Sequence, residues 1–332
     1  MNDRSQPTVP EERFAWAPAL ASFLLLLLAF WLAARHFDLE QRIGGGLLSA
    51  FASFALLLAP YWFFGFGAAL WLRSVLATPT PRVAAPALLV LPYLAFSIPR
   101  GEFAWAYALT YALIPVGLAA LFEFLPPGDA GISVQDVIAL LVLGLPVEFR
   151  FLGGSWPHPG LGSMPKLLLM DAGLYAFLVV RRLERVGYDF RIKLRDVAVG
   201  LREWAFFAPL GIIIGLALHF IVPQARWPSI AEAGAAYLVT FFFVAIPEEM
   251  FFRGLLQNLL EPRLGRIKAL AVTAVIFGLS HFNKPLPFNW RYVLLATIAG
   301  VFYGRAWLDR RRLATSGITH ATVDVVWSLW FR

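Results

Sequence analysis

Residues 14–34 read FAWAPALASFLLLLLAFWLAA, without one charged side chain. As a helix rising about 1.5 Å per residue, such a run crosses a hydrocarbon layer of about 30 Å. Thirteen polar-rich residues precede it, and no small-residue cleavage site follows. It is therefore expected to be a retained first transmembrane helix rather than a signal peptide. Similar apolar stretches recur along the 332 residues: 43–72, 83–98, 103–125, 134–147, 166–180, 204–222, 233–260, 269–282 with 292–308, and 313–330. Several are short or carry proline (Pro86, Pro92, Pro115, Pro247). Kinks or re-entrant pieces would lower the count of spans from ten to eight. The stretches are continuous rather than alternating, which argues against a barrel. The expected fold is an all-α polytopic membrane protein, a bundle of about 8–10 transmembrane helices.

Composition agrees. Hydrophobic residues make up 59% of the chain and charged ones 15%. Soluble domains hold roughly 45–50% and about 25%. Mean hydropathy is +0.69, and a soluble globule of this size cannot hide that much apolar surface. With no cysteine, disulfide scaffolds, thiol nucleophiles and cysteine zinc sites are excluded. The net charge of +7 does not point to nucleic acid, because the basic residues sit between apolar runs, where membrane topology places them.

Those basic residues orient the chain. Arg181, Arg182, Arg185, Arg191, Lys193, Arg195 and Arg202 lie in one connector, expected in the cytoplasm. Loops then alternate: Arg226 outside; Arg263, Arg266 and Lys268 inside; Lys284 and Arg291 outside; Arg305, Arg310, Arg311 and Arg312 inside. With ten spans the amino terminus is inside and the carboxyl terminus outside. The expected organisation is an amino-terminal transmembrane bundle of unknown role over 1–180, a basic cytoplasmic connector over 181–203, and a second transmembrane bundle over 204–332 that carries the motifs below. The Gly- and Pro-rich loop 153–165 is expected to cover one membrane face. A faint internal echo relates Leu145-Pro146-Val147-Glu148-Phe149-Arg150 to Ile246-Pro247-Glu248-Glu249-Met250-Phe251.

Charges inside spans cost about 2.5–3.5 kcal/mol each on the insertion scale and call for a reason. Two adjacent carboxylates, Glu248 and Glu249, sit in a phenylalanine-rich run after Pro247. Glu249 and Arg253 share a helix face at four-residue spacing, in the favourable order. Glu248 points about 100° away and has no local cation. A lone carboxylate in apolar surroundings can exchange protons near neutrality. A kink or helix start at Pro247 would open the pair to a cavity. A buried ion pair that only fixes helix packing is the competing reading. Phe277 and His281 share a second face, and His320 and Asp324 a third. From Glu249 the chain descends about 12 residues to the basic turn 261–268 and climbs about 13 to His281, near 20 Å each way. The last span leaves Arg310–Arg312 and reaches His320 and Asp324 about 8 and 12 residues on. Two glutamates, two histidines and an aspartate are thereby expected around one inner-facing or midplane cavity. His219 reads as a packing residue, His36 and His158 as loop residues, and Asp171 and Glu123 as acids facing the bundle interior. No glycine-rich nucleotide loop and no H-E-x-x-H appears.

Glu248-Glu249 with Arg253 fits E-E-x-x-x-R, Phe277 with His281 fits F-x-x-x-H, and His320 with Asp324 fits H-x-x-x-N/D. In order and spacing these resemble the CAAX prenyl endopeptidase and bacteriocin-processing family (CPBP or ABI), glutamic-type intramembrane proteases. The resemblance covers roughly residues 204–330. It implies an intramembrane endopeptidase in which Glu248 and His281 activate a water. His320 and Asp324 would stabilise the oxyanion, Arg253 would hold Glu249, and Phe277 would support the site. An ionised Asp324 cannot donate to an oxyanion as an asparagine could, so Asp324 must be protonated or must orient His320. The family resembles a metal-independent mechanism with no cofactor; the alternative is a zinc held by the glutamate and histidine set. Partners would be membrane lipids and a membrane-embedded or lipid-linked peptide substrate, with no nucleic acid. The expected location is a prokaryotic cytoplasmic membrane, multi-pass. Competing functions are a non-catalytic membrane scaffold or immunity protein of the same fold, and a transporter or proton pathway.

Overall fold

The computed structural model describes residues 14–128, 131–225, 227–284 and 288–331. Arg226 and the thirteen residues before Phe14 lie outside the described residues. The architecture is all-α. The principal helices are α1 (Trp16–His36), α2 (Leu47–Phe64), α3 (Pro79–Arg100), α4 (Trp105–Phe124), α5 (Val134–Glu148) and α6 (Met164–Leu174). After an irregular connector come α7 (Leu194–Ala217), α8 (Ile230–Leu264), α9 (Arg266–Leu279), α10 (Trp290–Arg310) and α11 (Leu313–Trp330). Six of these, α1–α4, α7 and α8, are long and apolar enough to cross a membrane. The protein is an integral, multi-pass membrane protein.

Local chemistry explains several element boundaries. Ser133 caps α5, its hydroxyl accepting from the Asp136 amide while the Asp136 carboxylate accepts from the Ser133 amide. Ser229 and Glu232 repeat this reciprocal cap at the start of α8. Such caps satisfy amides that a helix start leaves without partners. Pro86 lies in the first turn of a tighter 3₁₀ stretch, Ala85–Val90, within α3, and Pro92 follows it.

The amino-terminal helices pack with α2 against α3 and α6, and α5 against α6. The carboxy-terminal helices pack with α9 on α10, and α7 on both α10 and α11. The two groups meet where α6 touches α8 near Pro247. Helix α1 is peripheral: Ala19 is its buried residue, and Leu24, Leu25, Leu28 and Leu32 are exposed, the pattern of a lipid-facing helix. The loop after α5 sends side chains into the amino-terminal helices. Trp156 is buried with its indole N–H 3.3 Å from Ser53 Oγ, and Ser155 and Tyr111 hydroxyls meet at 2.6 Å.

The basic connector is pinned rather than free. Helix α7 begins at Leu194, inside the stretch read as connector. Arg312 bonds Asp189 at 2.6 Å, Asp196 at 2.9 Å and the Arg191 carbonyl at 2.7 Å. Arg181 pairs with buried Asp136 at 3.1 Å. Gly187 has φ +76°, and a Cβ there would lie 2.2 Å from the Arg311 carbonyl oxygen, so only glycine fits. Its own carbonyl accepts from the Leu313 amide at 2.8 Å, which fixes the start of α11. Burial pushes the Asp189 carboxyl up, but side-chain and backbone bonds from Arg191 and the Arg312 guanidinium outweigh it and hold the group below its usual range.

Candidate active site

Helix α8 carries the first motif, and its backbone is altered there. It runs through Pro247 as continuous helix, so no helix starts there. The turns Phe241–Ala245 and Met250–Gln257 are π-helical, flanking Ile246–Glu249. Wide turns of this kind recur at functional sites. Proline offers no N–H. In the i→i+5 register the carbonyl left without a donor is that of Phe242. Tyr61 on α2, fully buried, donates its hydroxyl to that carbonyl at 2.7 Å. The proline's missing bond is thus supplied from the amino-terminal bundle.

Glu249 and Arg253 are both fully buried. Arg253 Nη1 donates to Glu249 Oε1 at 3.0 Å, and Nη2 donates to the Gly300 carbonyl on α10 at 3.0 Å. The guanidinium lies 4.6 Å from the centre of the Phe277 ring and 5.3 Å from that of Tyr303. Phe277 is therefore a packing surface for the cation. His320 Nδ1 donates to the same Glu249 oxygen at 2.8 Å. Its other nitrogen, Nε2, lies 3.4 Å from Asp324 Oδ2 and 3.8 Å from Glu248 Oε2. The ring stacks on Tyr303 with centroids 4.5 Å apart. His320 thus sits among three carboxylates, oriented by Glu249 and braced by Tyr303.

His281 lies just beyond α9, which ends at Leu279. The face it shares with Phe277 is nonetheless kept: Nδ1 is 2.8 Å from the Phe277 carbonyl, and the rings are 4.8 Å apart. A carbonyl only accepts, so Nδ1 carries a proton, and in the neutral ring Nε2 keeps the lone pair. Close packing of α9 on α10 places this turn. A Cβ on Gly278 would fall 1.9 Å from Thr297 Oγ1 and 2.7 Å from the Val293 carbonyl.

Glu248 departs from the expectation of a carboxylate without a cation. Lys166, in the first turn of α6, donates to Glu248 Oε1 at 2.7 Å. The pairing joins residues 82 positions apart, and helical spacing carries no signal for it. The five motif residues also do not line one cavity. His281, His320 and Asp324 face a small cavity of about 100 Å³ with Tyr292 and Trp327. Glu248 faces a larger one of about 530 Å³ between α5, α6 and α8, with Lys166, Ser280 and Lys284 at its polar edge. His320 Nε2, 3.8 Å from Glu248, links the two sets. Glu148, from the echo segment, lines the larger cavity as well.

The weaker candidates fall elsewhere. His219 is exposed with φ +50°, just past α7, so it does not pack in a span as expected. His36 ends α1, and His158 meets Glu102 at 2.9 Å. Glu123 pairs with Arg82 at 2.9 Å, and Asp171 is fully buried in α6. Among the described residues no three His, Asp or Glu side chains are grouped to hold a metal ion. His320 turns both ring nitrogens toward carboxylates instead.

The fold and these side chains define a polytopic membrane protein with an acid–histidine cluster buried among its helices. Residues 230–326 match the family model described as type II CAAX prenyl endopeptidase Rce1-like. The matched segment begins with α8, contains all three motifs and spans under a third of the chain. The match is consistent with the CPBP family that the motifs resemble. Comparisons with curated proteins and with solved structures give no match.

Proposed function

We propose that the protein is a glutamic-type intramembrane endopeptidase that cleaves a membrane-embedded or lipid-linked peptide with an activated water and no metal. The observation that carries this reading is the division of labour between the two histidines. His281 keeps a free Nε2 lone pair, fixed by its bond to the Phe277 carbonyl. His320 is anchored through Nδ1 to Glu249 and leaves Nε2 beside Glu248 and Asp324.

In this mechanism a water lies between Glu248 and His281. They take its proton as its oxygen attacks the scissile carbonyl. The developing oxyanion accepts from His320 Nε2–H, with Asp324 orienting the imidazole. The proton held at Glu248 or His281 then passes to the departing amine as the C–N bond breaks. Arg253 acts at one remove, keeping Glu249 charged and in place to grip His320. The surrounding lipid supplies the substrate laterally.

One observation favours a second reading, a non-catalytic scaffold or immunity protein: Glu248 is already engaged by Lys166. Glu248→Gln and His281→Ala separate the two. The protease reading expects each to abolish peptide release from lipid-reconstituted protein while the helical fold persists. Wild-type release by Glu248→Gln alone would already sink it.

A further inference from the structure

Helix α6 is buried at every position from Met164 to Leu174 except one, Lys166. A lysine in such a helix costs about 2.5–3.5 kcal/mol on the insertion scale unless its charge is answered. Here it is answered by Glu248, at 2.7 Å, in a contact only partly open to the cavity. Lys166 lies far outside the matched segment 230–326. We propose that Lys166 is a positioning residue of the active site, an ammonium on the amino-terminal bundle that holds the Glu248 carboxylate charged and turned into the large cavity.

Two adjacent carboxylates in a low-dielectric interior repel, and both stay ionised only if each has its own cation. Glu249 has Arg253 and the imidazole of His320. Glu248 has Lys166. Other groups face Glu248 from each neighbouring element. From α11 this is His320, with Asp324 behind it at 3.4 Å; from α10, Tyr292; from the turn after α9, His281 and Lys284; from the end of α5, Glu148 on the same cavity wall. On its own helix are Glu249 and Arg253. Lys166 alone among these donates a hydrogen bond to it in the described structure. The bond takes Oε1 and leaves Oε2 toward His320, so the ammonium also selects which oxygen faces the histidines. The amino-terminal bundle would then be part of the site, reaching it through Lys166 and supporting its helix through Tyr61.

The consequence for catalysis rests on the protease reading, but the test needs no substrate. Dicyclohexylcarbodiimide, an apolar reagent, modifies protonated carboxyl groups. Full-length protein in lipid nanodiscs would be treated at neutral pH, and the adduct at Glu248 read by peptide mass spectrometry. Wild type, Lys166→Met, Lys166→Arg and Glu248→Gln would be compared, the last to assign the adduct. At neutral pH Lys166→Met should raise labelling of Glu248 about tenfold. Lys166→Arg should restore the wild-type level. Unchanged labelling in Lys166→Met would overturn the inference. So would an equal rise at Glu148 and Glu249, which marks general loosening. Should Lys166→Met fail to fold, Lys166→Gln carries the same comparison. Peptide release by Glu248→Gln is measured separately. Undiminished cleavage there ends the protease reading and leaves the labelling result to decide the role of Lys166.

Discussion

Arg253→Met tests the buried centre of the site most sharply. The substitution keeps an unbranched apolar stem but removes the charge. It deletes two 3.0 Å hydrogen bonds, to Glu249 and to the Gly300 carbonyl, and the contact with the Phe277 face. Both members of the ion pair are fully buried, so the change strands a carboxylate. Removing one partner of a buried pair costs about 3–5 kcal/mol. His320 still donates to the same oxygen, which places the expected loss near the lower end, about 3 kcal/mol. Adding Glu249→Gln removes the stranded charge. The double variant should therefore lose less than the two single variants together, with a coupling of about 1.5–3 kcal/mol. The assay is equilibrium unfolding of the full chain in mixed micelles by titration with dodecyl sulfate, followed by far-UV circular dichroism and tryptophan fluorescence. A loss below about 1 kcal/mol for Arg253→Met, or additivity within about 0.5 kcal/mol, would refute the reasoning.

Other outcomes follow from single contacts. Tyr61→Phe should cost about 1–3 kcal/mol in the same titration, because it leaves the Phe242 carbonyl buried without a donor; a neutral result would mean the π turn satisfies that carbonyl itself. Gly278→Val should displace α9 from α10 and reduce peptide release even where helicity is kept, since a Cβ meets backbone as well as side chain. Wild-type turnover in that variant would show that His281 does not depend on this close approach. The Asp189 carboxyl is held below its usual range, so its stabilisation is full above the unfolded-state value near 4 and is lost as pH falls through the lower folded-state value. Amide exchange around Gly187 and Phe190, corrected for intrinsic rates, should rise on acidification below about pH 4. Asp189→Asn should show the faster exchange already at neutral pH, and equal protection in both proteins would contradict the pinning of the connector.

Much of this was legible in the chain. The apolar runs mark the helices because length and the absence of charge suffice. Four-residue spacing brings Arg253 to Glu249, and it keeps Phe277 beside His281 even where the helix has already ended. What spacing could not carry is everything set by contact between distant helices. Lys166 opens an apolar run and reads as its boundary, yet it is the cation that Glu248 lacked locally. Tyr61 gives no sign of its bond to Phe242, because the need for it arises only from the π register around Pro247. The single expected cavity became two because α5 and α6, outside the motifs altogether, wall off the Glu248 side. His219 looked like a span residue because its neighbours are apolar, but the helix ends just before it.

The most direct measurement is peptide release from a membrane-peptide library by full-length protein in lipid. Wild type, Glu248→Gln and His281→Ala would be compared by mass spectrometry, with and without a chelator. Cleavage products present with wild type, absent with both variants and unchanged by the chelator are the expected result. Identical product spectra from wild type and Glu248→Gln would contradict the proposed activity, and loss of products with the chelator alone would contradict its metal independence.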